Sequence, residues 1–186
     1  MSRATASTSN PGPETDTRAR ILDSARRLFL AQGYAGTSLA DIAADIGVTK
    51  TAVAYHFHPK DRLLVELVSP ALADMAVELG PLPTTTRAQR RAFLRRVVEV
   101  LVRHRDVVGI LASDSGLLAL PALAGTPAPR DLLVARLVPT RRSPADVVRA
   151  WSAIGAAQIA VARTLDQPVD VVREIATLAA LGAYDS

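Results

Sequence analysis

Residues 38–60, SLADIAADIGVTKTAVAYHFHPK, form the stretch that decides the fold. Ser38 belongs to the residue types that cap helix N-termini, and the apolar residues after it recur at the helical spacing i, i+3, i+4 and i+7. Gly47 suits the left-handed backbone conformation that ends a helix, and Thr49 suits the cap of a second helix. The pattern predicts two short helices joined by a tight turn, which is the arrangement of a helix-turn-helix motif.

The second predicted helix, residues 49–57, has one apolar side and one side of small or hydrogen-bonding residues. Val53 and Phe57 are four residues apart and are expected to face inward. The outer side is left to Thr49, Lys50, Thr51, Ala54 and Tyr55. Such a helix fits the DNA major groove, where side chains of this kind reach base edges. An ordinary helical hairpin with a solvated outer side is the alternative that the pattern leaves open.

The composition indicates a globular, all-helical protein. The chain has 186 residues, 49% of them hydrophobic, which is enough for one domain or two small ones with a sizeable core. It contains no cysteine, which excludes disulfides, thiolate zinc sites and cysteine nucleophiles. Residues 1–15 are polar, and no apolar run approaches the roughly 20 residues that span a bilayer. We therefore expect a cytoplasmic protein without membrane contact.

The net charge of +4 is spread evenly along the chain. Residues 1–65 carry eight basic and six acidic side chains, and residues 66–186 carry fourteen and twelve, so each part has a net charge of +2. This balance is mildly favourable to nucleic-acid binding. Any phosphate contact must therefore come from the local placement of cations.

The flanking sequence predicts three domains. Residues 1–16, rich in Ser, Thr, Pro and Gly, predict a disordered tail. Residues 17–62 predict a three-helix DNA-binding head whose first helix runs over 17–32. Residues 63–186 predict a larger helical body. A fourth helix that starts at residues 59–61 and runs to about residue 79 leads into it, and further helices are predicted over 86–105, 106–112, 115–120, 129–138, 143–165 and 169–183. The whole chain would have about nine helices, and Pro70 is expected to kink the fourth of them.

The predicted fifth helix is unusually basic. It carries seven arginines and a single acid, Glu99. One interpretation is a second nucleic-acid site. The other is a solvated face, or pairing with acids of neighbouring helices.

The motifs of residues 17–65 resemble the tetracycline-repressor (TetR) family of bacterial transcriptional regulators. The resemblance rests on an ILDSA helix, a G-Y-x-G-T-S turn, a D-I-A-x-x-x-G-V helix and a final Y-H-F-x-x-K-D-x-L. Residues 66–186 share only the family's length and helical layout. The resemblance implies an all-helical homodimer with a helix-turn-helix head and a C-terminal ligand-binding and dimerisation bundle. It implies a regulator rather than an enzyme, without a cofactor or a metal.

The resemblance also implies the DNA contacts of the head. The residues that occupy the family's contact positions are Ser38, Thr49, Lys50, Thr51, Tyr55, His56 and Lys60. Of these, Ser38 would cap the second helix and touch phosphate. Thr49, Lys50, Thr51 and Tyr55 would meet bases and backbone, while His56 and Lys60 would hold phosphate. Ala54 and Ala40 depart from the family, which often has tyrosine at the first position and a polar or basic residue at the second.

The implied mechanism is repression relieved by a ligand. The dimer would form through the last two helices, about 143–165 and 169–183, and bind a pseudo-palindromic double-stranded DNA operator. A small lipophilic effector in the body would change the spacing of the two heads, with helix 4 as the lever and Pro70 as a candidate hinge. Candidate pocket residues are Leu72, Met75, Leu79, Phe93, Val97, Leu101, His104, Leu111, Asp114, Leu118, Trp151, Ile154 and Gln158.

Two other classes of protein compete with this interpretation. A sequence-independent DNA-binding architectural protein would need a long basic surface, for which the arginines of the fifth helix are the candidate. A helical enzyme would need a catalytic motif, and the sequence has no G-x-S-x-G, no Walker loop and no G-x-G-x-x-G. The pair His56 and His58 is the one hint of a metal, but no third ligand lies nearby in the sequence.

Overall fold

The structure is a computed structural model that describes residues 13–114, 116–117, 120–121, 123 and 129–186. Within these residues the chain forms nine α-helices and no strand, as predicted. The helices are α1 Pro13–Gln32, α2 Leu39–Ile46, α3 Lys50–His56, α4 Asp61–Leu79, α5 Arg87–Arg103, α6 Arg105–Ser113, α7 Pro129–Leu137, α8 Pro144–Arg163 and α9 Val169–Asp185. None of these helices is both long and apolar enough to cross a membrane.

The boundaries differ from the predicted ones mainly at the first helix. Helix α1 begins at Pro13, four residues before the predicted start, because proline and acidic residues suit a first helical turn. The remaining part of the predicted tail, residues 1–12, lies outside the described residues. Of the helix predicted over 115–120, residues 115, 118 and 119 lie outside the described residues, while residues 116, 117 and 120 belong to no α-helix, so the prediction is wrong for this described part.

A first apolar core holds the head together. It contains Ile21, Ala25 and Phe29 of α1, Ile42 and Ala43 of α2, Val53 of α3, and Phe57 directly after α3. This core continues past residue 62, because the first two turns of α4 add Leu63, Leu64 and Val68 to it. The start of α4 is therefore part of the head.

A second apolar core lies in the body, between α5, α7, α8 and α9. Its largest fully buried members include Phe93, Leu94 and Ile154. Helices α8 and α9 pack along each other, and α8 begins with a capping box in which Ser143 and Asp146 satisfy each other's backbone N–H groups. The guanidinium of Arg90 is buried, donating to the Tyr184 hydroxyl at 2.7 Å, and thereby fastens α5 to α9.

Helix α6 connects the two cores. Its Ile110 is fully buried in the core of the head, although it follows the head by nearly fifty residues. A Cβ atom on Gly109 would lie 3.0 Å from Leu30 of α1 and 2.9 Å from Leu165 at the end of α8, so the backbone of α6 passes closely between them. Arg26 of α1 also lies 3.7 Å from Asp106 of α6. The head therefore packs against α6 as well as against α4. Helix α4 is continuous through Pro70, which is exposed.

Candidate nucleic-acid interface and ligand cavity

The first helix of the motif is closed at both ends as the sequence predicts. The Ser38 hydroxyl accepts from the Asp41 backbone N–H at 3.2 Å, and the Asp41 carboxylate accepts from the Ser38 backbone N–H at 2.7 Å. These two hydrogen bonds lower the pKa of the Asp41 carboxyl. Gly47 adopts φ +70° and ends the helix, a left-handed conformation that glycine takes without strain. The turn between the helices is therefore fixed by its own residues.

Helix α3 is anchored by one side and open on the other. The Thr49 hydroxyl caps it by accepting from the Ala52 backbone N–H at 3.1 Å. Val53 and Phe57 are fully buried in the head core, which confirms the predicted inner side. On the other side the ring of Tyr55 is 79% exposed. Helix α3 therefore offers a short, rigid row of accessible side chains.

The predicted contact residues Ser38, Thr49, Lys50, Thr51 and Tyr55 are all exposed, and His56 is half-buried at the end of α3. Lys50 and Thr51 make no side-chain hydrogen bond or ion pair with the rest of the described chain. The edges of the Tyr55 and His56 rings meet, with centroids 5.2 Å apart. These six of the seven predicted residues thus have side chains that are at least partly accessible.

Lys60 differs, because its side chain turns back into the protein. Its ammonium donates to the carbonyl oxygens of Tyr34 at 2.8 Å and Thr37 at 2.9 Å. It also lies 4.0 Å from the centroid of the Tyr34 ring. Burial lowers the pKa of this ammonium, and the neighbouring Asp61 opposes the shift. Two of its three N–H donors are used inside the head.

The same corner contains a buried tyrosine. The Tyr34 hydroxyl donates to the Asp61 carboxylate in the first turn of α4. Burial, with this hydrogen bond and the negative charge of Asp61, raises the pKa of the Tyr34 phenol far above its usual range. The turn between α1 and α2 is thus fastened to the start of α4 by Tyr34 and Lys60 together.

Among the arginines of the head, Arg18, Arg26 and Arg27 are paired with acids. Arg18 lies 2.7 Å from Glu66, and Arg27 lies 2.5 Å from Asp23 and 2.6 Å from Asp45. Arg62 is an exception that sequence reasoning missed: its side chain is exposed and has no hydrogen bond or ion pair to any other described residue. Its position in the first turn of α4, next to the K-D pair of the motif, was the available signal.

An apolar cavity of about 220 Å³ lies in the body between α4, α5, α6, α7 and α8. It is lined by Ala71, Leu72, Met75, Val100, Leu101, His104, Val107, Val108, Leu111, Ala112, Arg130, Gln158 and Ile159. Ten of these residues are apolar, which is the usual composition of a small-molecule site.

The predicted pocket residues divide between this cavity and other places. Six of them line it: Leu72, Met75, Leu101, His104, Leu111 and Gln158. Four others, Leu79, Phe93, Val97 and Ile154, are packed in the body core instead, because apolar periodicity marks buried residues whether or not they border a cavity. Two further predicted residues lie away from the cavity: Asp114 follows α6 and accepts a hydrogen bond from the Gly116 backbone N–H, and Trp151 on α8 is 41% exposed. The last predicted residue, Leu118, lies outside the described residues.

Three polar side chains line the cavity. The His104 ring Nε2 lies 2.8 Å from a carboxylate oxygen of Asp74, so this histidine already has a partner. The Gln158 amide makes no hydrogen bond to any other described residue. Arg130, which sequence reasoning missed, is exposed, and its guanidinium carbon lies 5.4 Å from the centroid of the Trp151 ring.

The arginines of α5 are mostly engaged with acids of other elements. Arg87 and Arg91 pair with Asp185 of α9, and Arg96 and Arg103 pair with Glu78 of α4. Pairing with neighbouring helices was one of the two sequence interpretations, and it describes this surface. Among the described residues no three His, Asp or Glu side chains are grouped so that they could hold a metal ion.

The geometry defines a class of protein: a helix-turn-helix head on an all-helical body that contains an apolar cavity. Residues 21–67 match the family described as bacterial regulatory proteins, tetR family. This match covers most of the head and the start of α4, so the tetR-family resemblance is confirmed for this part of the chain.

Curated relatives carry the same family resemblance. The HTH-type transcriptional regulator TtgR of Pseudomonas putida is 45% identical over 53 residues, which are 28% of this chain and 25% of TtgR. The regulator LmrA of Bacillus subtilis (strain 168) is 44% identical over 114 residues, 57% of this chain and 61% of LmrA. The chain thus matches about a quarter of the first relative's length. Both relatives are named as transcriptional regulators and not as enzymes.

The likeness of fold extends beyond the head. A TetR-like transcriptional regulator from Rhodococcus sp. RHA1 superposes with a TM-score of 0.63, covering 92% of this chain and 97% of its own. The two sequences are 21% identical, so this likeness concerns the fold alone. It extends the all-helical architecture beyond the matched head into the body.

Proposed function

We propose that the protein is a DNA-binding transcriptional regulator, acting in the cytoplasm as a repressor that a small lipophilic effector releases from its operator. The observation that carries this proposal is the open side of α3. Val53 and Phe57 anchor this helix in the head, while Lys50, Thr51 and Tyr55 remain accessible and have no side-chain hydrogen bond or ion pair among the described residues. A helix held in this way suits the major groove, where bidentate and apolar contacts distinguish base pairs.

Phosphate contacts would surround this helix. The His56 imidazole at the end of α3 and the exposed Arg62 guanidinium in the first turn of α4 are the groups best placed to add to Lys50. Ser38 keeps its hydroxyl proton and Lys60 keeps one N–H, so both can still donate to a phosphate oxygen. Such contacts position the head without reading sequence.

A dimer would form through α8 and α9. These helices expose a row of apolar side chains: Val148, Trp151, Ile159, Val171, Ile175 and Leu178. A Cβ atom on Gly155 of α8 or Gly182 of α9 would meet nothing within 4 Å, so a second backbone can approach closely there. Two antiparallel helices from each of two copies make a four-helix interface with twofold symmetry. The twofold axis accounts for a pseudo-palindromic operator.

The cavity would connect effector and head through two residues. Leu72 of α4 and Leu111 of α6 both line the cavity and pack against the core of the head. An effector that binds one arrangement of these helices more tightly than another shifts the equilibrium between the corresponding positions of the head. The size of the shift is set by the difference between the two affinities. The spacing of the recognition helices in a DNA-bound dimer, about 34–36 Å, would then change.

The two rival classes have weaker support. A sequence-independent architectural protein needs free cations over a long surface, whereas the arginines of α5 are mostly paired with acids. A helical enzyme needs reactive groups in a cleft, and the cavity holds one histidine that is already hydrogen-bonded to Asp74.

The proposal is tested by selecting DNA from a random pool with the full chain and measuring affinity by fluorescence anisotropy. We expect a pseudo-palindrome that is bound at least roughly 10³-fold more tightly than a shuffled duplex of the same composition. Lys50→Ala and Tyr55→Ala should each change which bases are selected. The matched control is Arg95→Ala, an exposed residue of α5 that makes no contact with the head.

Equal affinity for selected and shuffled duplexes would identify the architectural protein instead. A selected site that is unchanged in both Lys50→Ala and Tyr55→Ala would remove α3 as the reading helix. Either result contradicts the proposal.

A further inference from the structure

Arg130 is the one residue of the cavity lining whose charge has no counterpart in the described chain. No carboxylate of a described residue lies within 4.0 Å of its guanidinium, and no acidic residue lines the cavity. The stretches outside the description between residues 115 and 128 contain no Asp or Glu in the sequence. By contrast, the guanidinium groups of Arg96 and Arg103 on the neighbouring α5 are each paired with Glu78.

The surroundings of Arg130 leave it ready to bind an anion. Its guanidinium lies over the Trp151 ring, which fixes one face of the planar group while its edge N–H donors stay open. The Gln158 amide, also in the lining, has no hydrogen-bond partner among the described residues and can add one more donor. A planar fork of N–H donors matches a carboxylate in two parallel hydrogen bonds.

We propose that the cavity binds a small monocarboxylate, with its carboxylate at Arg130 and its apolar body between Leu72, Met75 and Leu101. This inference rests on the proposed function, because it specifies the effector of the same cavity. The apolar lining excludes a ligand with several charges, since each further charge would be buried without a partner. No acidic residue belongs to the described lining, so the lining itself offers a cationic lipophile no charged partner.

The size of the cavity limits the ligand. A volume of about 220 Å³ lies below the usual range for drug-sized ligands. At the packing density of protein interiors it holds on the order of ten non-hydrogen atoms. Octanoate, with a straight apolar chain, and 3-phenylpropanoate, with a ring, are carboxylates of this size.

The test measures binding of these two probes to the full chain by isothermal titration calorimetry. The fluorescence of Trp151 provides a second readout, because it is the only tryptophan of the chain and contacts Arg130. Variants are Arg130→Gln, Arg130→Lys and the charge-matched control Arg95→Gln. Octan-1-ol and octylamine serve as neutral and cationic probes of equal length.

We expect both carboxylates to bind the unaltered chain and Arg95→Gln equally. Arg130→Gln should weaken both about tenfold or more, Arg130→Lys should recover part of the loss, and octan-1-ol should bind all variants within twofold. The inference is overturned if neither carboxylate binds, if Arg130→Gln binds them unchanged, or if octylamine binds as tightly as octanoate.

A separate measurement distinguishes this inference from the proposed function. Octanoate is added to the complex of the protein with its selected DNA. If octanoate binds in a way that depends on Arg130 but the DNA stays bound, the carboxylate site is supported and its role as the effector site is refuted. Loss of the carboxylate site together with intact recognition of a selected operator would refute the inference and leave the regulator in place.

Discussion

The Nζ atom of Lys60 lies 2.8 Å from the carbonyl oxygen of Tyr34 and 4.0 Å from the centroid of the same residue's ring. A second carbonyl oxygen, that of Thr37, lies 2.9 Å away. Lysine at this position thus closes the turn between α1 and α2 against the start of α4. A residue that the sequence suggested as a phosphate contact has a structural role, with one N–H left for DNA.

Lys60→Met should therefore destabilise the head. The substitution leaves two carbonyl groups without their charged donor, which costs about 1–3 kcal/mol of the free energy of unfolding. Urea denaturation followed by circular dichroism measures this loss. Arg62→Gln is the matched control, because Arg62 is exposed and unpaired and its loss should leave the stability unchanged.

The same two variants separate the phosphate contacts. Arg62→Gln should weaken all DNA sites alike and lower the slope of log affinity against log salt by about 1. If Lys60→Met lowers that slope as well, its third N–H contacts phosphate. A slope that is unchanged in Arg62→Gln would remove Arg62 from the interface.

Gly47→Ala should destabilise the motif through its backbone alone. Gly47 has φ +70°, and a Cβ atom there would meet nothing within 4 Å, so the cost is the strain of a left-handed residue, about 1 kcal/mol. Gly47→Asn should recover most of the loss, because asparagine tolerates this conformation. Equal stability of the glycine and alanine proteins would show that the turn has another conformation.

The hydrogen bond between Ser24 of α1 and Asp45 of α2 should make the free energy of unfolding depend on pH in the acid range. The buried Ser24 hydroxyl donates to the Asp45 carboxylate at 2.5 Å, and this bond, with the charge of Arg27, lowers the pKa of Asp45. Because the pKa of Asp45 is lower in the folded state than its ordinary value of 3.8, the ionised carboxylate stabilises the folded state at pH values above 3.8. The stabilisation is lost as the pH falls through the lower pKa of the folded state.

Asp45→Asn is the corresponding variant. Its urea midpoint should change less between pH 5 and pH 2.5 than that of the unaltered chain, because it has no carboxyl to titrate at this position. Asp166→Asn, in the exposed loop between α8 and α9, is the control and should leave the pH profile unchanged. An identical pH profile for Asp45→Asn would contradict the proposed linkage.

Gly109→Ala should couple energetically to Leu30. The new methyl group would lie 3.0 Å from Leu30 and 2.9 Å from Leu165, closer than ordinary van der Waals contact, so these side chains or α6 must move by a few tenths of an ångström. Leu30→Ala removes one of the two obstructing side chains. A double-mutant cycle should therefore give a coupling of about 0.5 kcal/mol or more, whereas additive effects would show that α6 does not press on α1.

Local features of the motif could be predicted from sequence because they depend on neighbours within a few residues. The cap at Ser38, the turn at Gly47 and the inward spacing of Val53 and Phe57 are of this kind, and the structure confirms each. The inward turn of Lys60 could not be predicted, because its partners lie 23 and 26 residues earlier in the chain.

The residues of the cavity were even harder to predict from sequence than the orientation of Lys60. Apolar spacing identified Phe93, Val97 and Ile154 as inner residues, and they are fully buried, but spacing alone cannot separate a packed core from the wall of a cavity. Arg130 was missed for the opposite reason. A charged residue at the start of a short helix has no pattern, and its importance follows only from the packing of five helices around one space.

The exposed apolar side of α9 gives the last prediction. Ile175 and Leu178 are 55% and 59% exposed, although isolated globular chains bury most residues of this type. Ile175→Glu and Leu178→Glu should each shift the protein towards monomers, because a symmetric interface would bury two carboxylates without partners. Light scattering at micromolar concentration measures the change.

The control is Val77→Glu, on α4, where the side chain is 73% exposed and lies outside the predicted interface. It should leave the mass unchanged. Because two heads share one operator only within a dimer, the monomeric variants should also bind a full operator no more tightly than a half-site. A monomeric unaltered chain would refute the dimer and its two half-sites. A dimer that survives both glutamate substitutions would place the interface elsewhere and break the link between α9 and the operator's symmetry.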